Sequence, residues 1–361
     1  GWGNTEENVF SVMALQSESL VEEGLDNLFD NSQDVECWPS NTCTIKDTAL
    51  AIIALHELGK DVNTSKPADW LLEQQKLYLE TGKWFLQFEI TAGDHSGTCS
   101  VEYTYNNEQK EDTITINEDR SVEIGASSCF RVLKDYEWWL NIKDTCLEKD
   151  FYVDCQEDSW FANILFISGS TFIPYEGTSE EEWLKITSKC FPIQPGGACD
   201  YTSSLWASYA LSLLDKDPET KAYLKSNALA NEPLSYALIY LTENDLEYAN
   251  KLAEEQSGAY GYWDGTDAFF RTAISYYAAK TAKVANLDLA LEWVMDEQNT
   301  DASWGSINKF RDTAAILWAL FTTGTGVSYE DKCEDYGYKL SLIHISEPTR
   351  PLYISYAVFC L

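Results

Sequence analysis

The sequence predicts a mainly α protein in which two concentric layers of helices are interrupted by a small antiparallel β-rich insert. Three observations predict it: nearly all-apolar helices alternate with charged amphipathic ones, a Trp-led phrase recurs along the chain, and period-two runs cluster in one central stretch. A helix that is apolar on most sides must be covered on most sides, whereas an amphipathic helix needs cover on one face only. An inner and an outer ring satisfy both needs.

In chain order, the apolar type reads ENVFSVMAL (7–15), DTALAIIAL (47–55), SSLWASYAL (203–211), RTAISYYAA (271–279) and DTAAILWAL (312–320). Trp38, Trp263 and Trp304 precede the second, fourth and fifth copies. Start signals for the polar helices are Ser65 with Pro67, Asp217 with Pro218, and Ser179 with Glu182 ahead of Trp183. After Trp84 the pattern changes: FLQFEIT, TCSVEYTY, DTITINE and SVEIGA alternate apolar and polar residues and are rich in β-branched types. They predict a β module over 83–130, clasped by Cys99 and Cys129. Residues 131–178 hold the aromatic run YEWWL (136–140), an expected inner helix over 160–166 and an expected strand over 171–175. The domain reading is first helical repeats 1–82, β-rich insert 83–130, mixed insert 131–178, remaining repeats 179–339, and a tail 340–361.

That tail has its own origin. LSLIHISEPTR (340–350) is the in-frame translation of the transposon adapter used in short-read sequencing libraries, and ISYAVFCL (354–361) is that of the adapter's outer end. Two segments in the correct order identify a laboratory artefact on a metagenomic fragment, so His344 and Cys360 receive no role. With Gly1 in place of an initiator Met, the chain reads as a fragment at both ends.

Charge and cysteine usage narrow the function classes. Lys+Arg total 25 against 59 Asp+Glu, a net charge of -34, which is the wrong sign for gripping nucleic acid or an anionic membrane surface. No apolar stretch reaches the 18 or so residues of a spanning helix, so no membrane insertion is expected in the covered residues. Outside the tail, Cys37 and Cys43, Cys99 and Cys129, Cys146 and Cys155, and Cys190 and Cys199 read as sequence-local disulfide couples, with Cys333 left over. The absence of C-x-x-C and the scarcity of His argue against zinc, and no cofactor is expected. Disulfides imply an extracytoplasmic setting, secreted or at the cell surface.

Gln residues precede the Trp positions: Gln298 before Trp304, Gln256 before GYW (261–263), Gln75 before GKW (82–84) and Gln33 before CW. This resembles the Q-x-x-x-G-x-W repeat of the terpenoid cyclase and protein prenyltransferase α/α-toroid superfamily, with Ala302 in place of Gly, over residues 1–84 and about 195–330. The resemblance implies an α/α toroid in which Gln closes an outer helix and Trp stacks on it. A cyclase of that family would need an Asp-x-Asp-Asp acid, whereas DCQED (154–158) has other spacing. A prenyltransferase zinc site would need a His after the D-x-C pair Asp331 and Cys333, and none follows outside the tail. The thioester string G-C-G-E-Q of complement-like toroids is absent.

Candidate site residues remain. Asp47 and Asp312 open expected inner helices, where capping outweighs catalysis. Arg271 and Arg311 either pair with Asp267 and Asp312 or await an anion at the rim; pairing is favoured. Asp264 and Asp267 in WDGTD are weak calcium candidates beside the simpler reading of a turn and cap. His56 reads as a packed or rim residue and His95 as an exposed loop residue. Trp206, Tyr276, Tyr277 and Trp318 either line a central cavity or fill the core. The expected function is a binding scaffold for an unknown ligand or protein partner, with an isoprenoid-type cyclase or prenyltransferase-like enzyme, or a carbohydrate-active protein, as alternatives.

Overall fold

The computed structural model describes residues 2–15, 20–78, 82–90, 96–155, 160–169, 171–175, 183–186, 188–228 and 231–322. His95, the acidic run after Cys155, Ser179 with Glu182, Asp331, Cys333 and the tail at 340–361 lie outside these residues. The chain forms two compact units, one from residues 1–76, 190–218 and 227 onward, the other from 77–189 with 219–226.

The first unit is helical: α1 (Thr5–Leu15), α2 (Leu20–Asp30), α3 (Ile45–Glu57), α4 (Ser65–Glu73) and α5 (Tyr201–Ser212) come first. After α6 (Lys221–Ser226), which belongs to the other unit, follow α7 (Pro233–Glu243), α8 (Leu246–Glu254), α9 (Ala268–Ala282), α10 (Leu287–Asp296) and α11 (Lys309–Ile316), the last running on as a π-helical turn to Thr322. The apolar helices pack in succession, α1 on α3, α3 on α5, α5 on α7, α7 on α9, α9 on α11 and α11 on α1. The amphipathic α2, α4, α8 and α10 each lay one face on this set, α8 through Tyr248, Ala249 and Leu252.

One device joins polar to apolar helices three times. The indole N–H of Trp38, Trp263 and Trp304 donates to the carbonyl of Leu28, Leu252 and Val294, near the end of the preceding polar helix. The backbone N–H of the same Trp donates to the hydroxyl of Thr48, Thr272 or Thr313 in the first turns of the next apolar helix. Phe191 and Ser204 repeat the second contact without an indole. The Gln residues act on turn backbone: Gln256 binds the carbonyls of Gly261 and Asn286, and Gln298 that of Ala302.

The second unit overturns the fold class expected for the chain. Its strands are β2 (Lys83–Ile90), β3 (Gly97–Tyr105), β4 (Glu108–Ile116), β5 (Val122–Ile124), β6 (Phe130–Leu133), β7 (Tyr136–Ile142), β8 (Asp150–Cys155), β9 (Trp160–Ser168), β10 (Thr171–Tyr175) and β11 (Leu184–Lys185); the two-residue β1 (Lys76–Leu77) and β12 (Lys189–Cys190) mark where the chain passes between units. They build two five-stranded antiparallel sheets, β10-β9-β2-β7-β6 and β11-β8-β3-β4-β5. With 44% of the described residues helical and 23% in strands, the protein is mixed α/β and not the mainly α toroid the sequence predicts. The β-rich part is no small insert, because strands of the two sheets continue past 130 to Lys185. In particular, WFANILF over 160–166 is strand β9, not a helix. It lies between β10 and β2 with apolar contacts on both faces, so its side chains show neither period two nor a helical stripe.

The two sheets share a core of Trp84, Val101, Tyr103, Phe130, Phe151 and Phe166, among others. Four disulfides are present among the described residues, Cys37–Cys43, Cys190–Cys199, Cys99–Cys155 and Cys129–Cys146. The last two correct the expected couples Cys99 with Cys129 and Cys146 with Cys155. The register of β3 on β8 sets Cys99 directly opposite Cys155, and that pairing is invisible to sequence distance.

Candidate functional site

Of the residues singled out in the helical unit, Arg311, Asp312 and Asp267 are brought together, as are Tyr277 and Trp318, while the other charged candidates are engaged by groups outside that set. Asp47 lies in the first turn of α3 beside its N-cap: the Thr44 hydroxyl accepts the Asp47 N–H at 3.1 Å and donates to its carboxylate at 2.7 Å. Burial pushes the Asp47 carboxyl above its ordinary value. Asp312 does not cap; it is 4% exposed and accepts from Arg311 Nη2 at 2.7 Å, while burial raises its pKa against the pull of that guanidinium. Arg311 also reaches Asp267 at 3.3 Å and lies 4.4 Å over the ring of Phe270. Arg271 pairs with Glu232 at 3.0 Å and donates to the Thr266 carbonyl, not to Asp267 as expected. Asp264 accepts from the Gly265 N–H, and no group of three or more metal-binding side chains occurs among the described residues.

The aromatic candidates pack on each other. Trp206 meets Phe270, Phe270 meets Phe10, and Phe10 meets Trp318, all between 5.3 and 6.3 Å, and Trp318 lies 4.7 Å from Tyr277. Trp206, Trp318 and Tyr276 are all buried. One group that the sequence reading missed joins them. Glu57, at the end of α3, accepts from the Tyr277 hydroxyl at 3.3 Å, and burial raises its pKa. Burial and the charge of Glu57 push Tyr277 up to about 12. The signal was available, since Glu57 directly follows His56 at the end of an apolar run. His56 itself faces Asp61 at 2.8 Å and is partly exposed.

In the β unit the described residues enclose an open cleft of about 540 Å³, within the size range of ligand pockets. It forms where β2 and β7 part. The two strands pair only at Phe85 with Asn141 and Leu86 with Leu140; β2 then continues to Ile90 against β9 alone. On its other side, β7 pairs with β6 through an irregularity that takes Val132 opposite Leu140 and Leu133 opposite Tyr136. Glu137, Trp138 and Trp139 therefore stand outside both registers, a bulge of the kind that re-aims side chains. Gln87, Phe88 and Glu89 of β2 and Trp138 and Trp139 of β7 line it together with the core residues Ile116 and Val122, Gln87 and Glu89 projecting from one face of β2 and Phe88 from the other.

The polar groups of the cleft are unevenly satisfied. Glu89 accepts from Asn163 Nδ2 at 2.7 Å. Gln87 Oε1 and Asn163 Oδ1, neighbours across the β2–β9 register, are buried with no partner among the described residues. Leaving such an acceptor dry costs about 1–3 kcal/mol. Arg120 also lines the cleft, exposed, and makes no ion pair or side-chain hydrogen bond among the described residues. It sits at φ 68° in a β4–β5 turn closed by Asn117 N–H to Ser121 O and Arg120 N–H to Asn117 O. A Gly would hold that left-handed conformation without strain, so the turn keeps a cationic side chain there at some cost. Trp138 is 49% exposed.

No protein-family model matches the chain, and neither a curated protein nor a solved structure matches it. The expected membership of the terpenoid cyclase and prenyltransferase superfamily is thereby overturned. The Gln and Trp phrases stand as a local way of fastening helix to helix.

Proposed function

We propose that the chain is a binding protein that works outside the cytoplasm, secreted or displayed at a surface, and that the β2–β7 cleft is where it engages its ligand. The cleft carries the reading: a half-exposed Trp lines one concavity with an Arg and a buried amide oxygen that have no side-chain partner among the described residues. Four disulfides support the setting, since such bonds persist where the surroundings are oxidising. No helix among the described residues is long and apolar enough to cross a membrane. In the helical unit, by contrast, the charged candidates Arg271, Arg311 and Asp312 spend their hydrogen bonds on protein groups, which suits a scaffold.

The test is retention of the purified, oxidised chain on insoluble cellulose, chitin, peptidoglycan and collagen, beside its Trp138→Ala variant. Retention on at least one of these that Trp138→Ala loses is expected. Retention on none, or equal retention of both proteins, removes the cleft as the functional site.

A further inference from the structure

Resting on that reading, we propose that the ligand of the β2–β7 cleft is a neutral oligosaccharide, stacked on Trp138 and hydrogen-bonded to the polar side chains of β2 that line the cleft. A pyranose ring has an apolar C–H face and a rim of hydroxyls that each donate and accept. The cleft presents matching halves. On one side the Trp138 ring is half exposed, and Trp139 continues the aromatic surface toward Phe172, whose ring lies 6.1 Å away. Along β2, Gln87 carries a buried acceptor that lacks a donor among the described residues and meets a ligand once its partly exposed side chain turns outward, next to the Glu89 carboxylate. A hydroxyl rim supplies such donors, whereas a purely apolar ligand would leave the acceptor dry.

Arg120 adds a planar donor group that suits hydroxyls and ring faces alike. Its single positive charge could also draw a uronic or sulfated glycan. The chain as a whole carries -34, however, and repels polyanions at long range, which favours uncharged sugars. An extended peptide pairing with the free edges of β2 and β7 would use backbone groups and leave the exposed Trp138 face without a specific role.

The deciding experiment is isothermal titration of the intact chain with cello-, malto-, manno- and xylo-oligosaccharides and with chitin oligomers, alongside heparin, polygalacturonate and a collagen peptide. At least one neutral oligosaccharide should bind. Trp138→Ala should weaken it about tenfold or more, and Gln87→Leu should weaken it as well. Trp183→Ala removes an equally exposed Trp that contacts Tyr152 outside the cleft, and should bind like the parent. Near-UV circular dichroism identifies any variant that fails to fold, and the Gln87 variant then decides. The inference is overturned if no neutral oligosaccharide binds, if Trp138→Ala binds one as tightly as the parent, or if only the polyanions bind. Trp138-dependent retention on collagen without sugar binding would overturn the ligand class and leave the cleft as the functional site.

Discussion

A hydroxyl that serves the backbone of another segment is the smallest unit on which the helical part depends. Thr313 accepts the Trp304 N–H at 2.9 Å while donating to the Lys309 carbonyl at 2.7 Å, and Thr48 does the same for Trp38 and Thr44. Replacing Thr313 by Val keeps the shape and strands a buried N–H, so Thr313→Val should cost about 1–3 kcal/mol in urea unfolding, with Thr313→Ser near the parent. Glu57 gives a second prediction at this scale. Its carboxyl is raised above the ordinary 4.5, so the folded chain holds that proton more tightly than the unfolded chain does. The associated stabilisation is complete below the ordinary value and is lost as pH rises through the raised one. Asp47 and Asp312 add slopes of the same sign. Asp301, lowered to about 2 by Lys309 and Ser303, has the opposite sign, but its contribution is lost only as pH falls toward that value. Glu57→Gln should therefore match the parent near pH 4, exceed it near pH 7, and flatten the pH profile of thermal unfolding between them. A parent profile with the same slope over this window as the variant's would contradict the assignment.

At the scale of elements, the strands owe their stability to cross-links and registers that span distant sequence. Cys99–Cys155 closes a loop with a sequence separation of 56, against 6 for Cys37–Cys43. Loop-closure entropy then predicts that the double substitution of Cys99 and Cys155 by Ala costs about 4 kcal/mol, and clearly more than the same change at Cys37 and Cys43. Chemical denaturation of the two variants compares them directly. The same separation explains what sequence reading could and could not reach. Period-two runs in 97–124 were legible because one face of each strand is buried and the other is wetter, as in β3, where Val101 and Tyr103 are buried and Glu102 and Thr104 are exposed. The run at 160–166 was not, because β9 is covered on both faces. Cysteine partners were legible only where the bond is local. In the helical unit the Trp positions could be read, but the contacts of Thr48, Thr272 and Thr313 could not, since a Thr at a helix start looks like any cap residue.

For the whole molecule, the cleft was hidden because it arises from two strands that separate, and YEWWL reads equally well as core. Net charge, by contrast, is fully written in the sequence and predicts a property of the entire chain. With 59 acidic residues against 25 basic ones, self-repulsion works against every compact arrangement. The described ion pairs relieve it only locally, and several are exposed on both sides, such as Lys60 with Glu22 and Lys216 with Asp69. Repulsion between unpaired carboxylates acts over longer distances, which salt screens first: the Debye length falls from about 30 Å at 0.01 M to about 8 Å at 0.15 M. Adding sodium chloride over that range should raise the midpoint of thermal unfolding by a few degrees, and potassium chloride should do the same at equal ionic strength. If stability were governed by the short ion pairs, screening would weaken them and the midpoint would fall instead. A fall, or a rise specific to one cation, would show that general repulsion between carboxylates is not the dominant electrostatic effect in this protein.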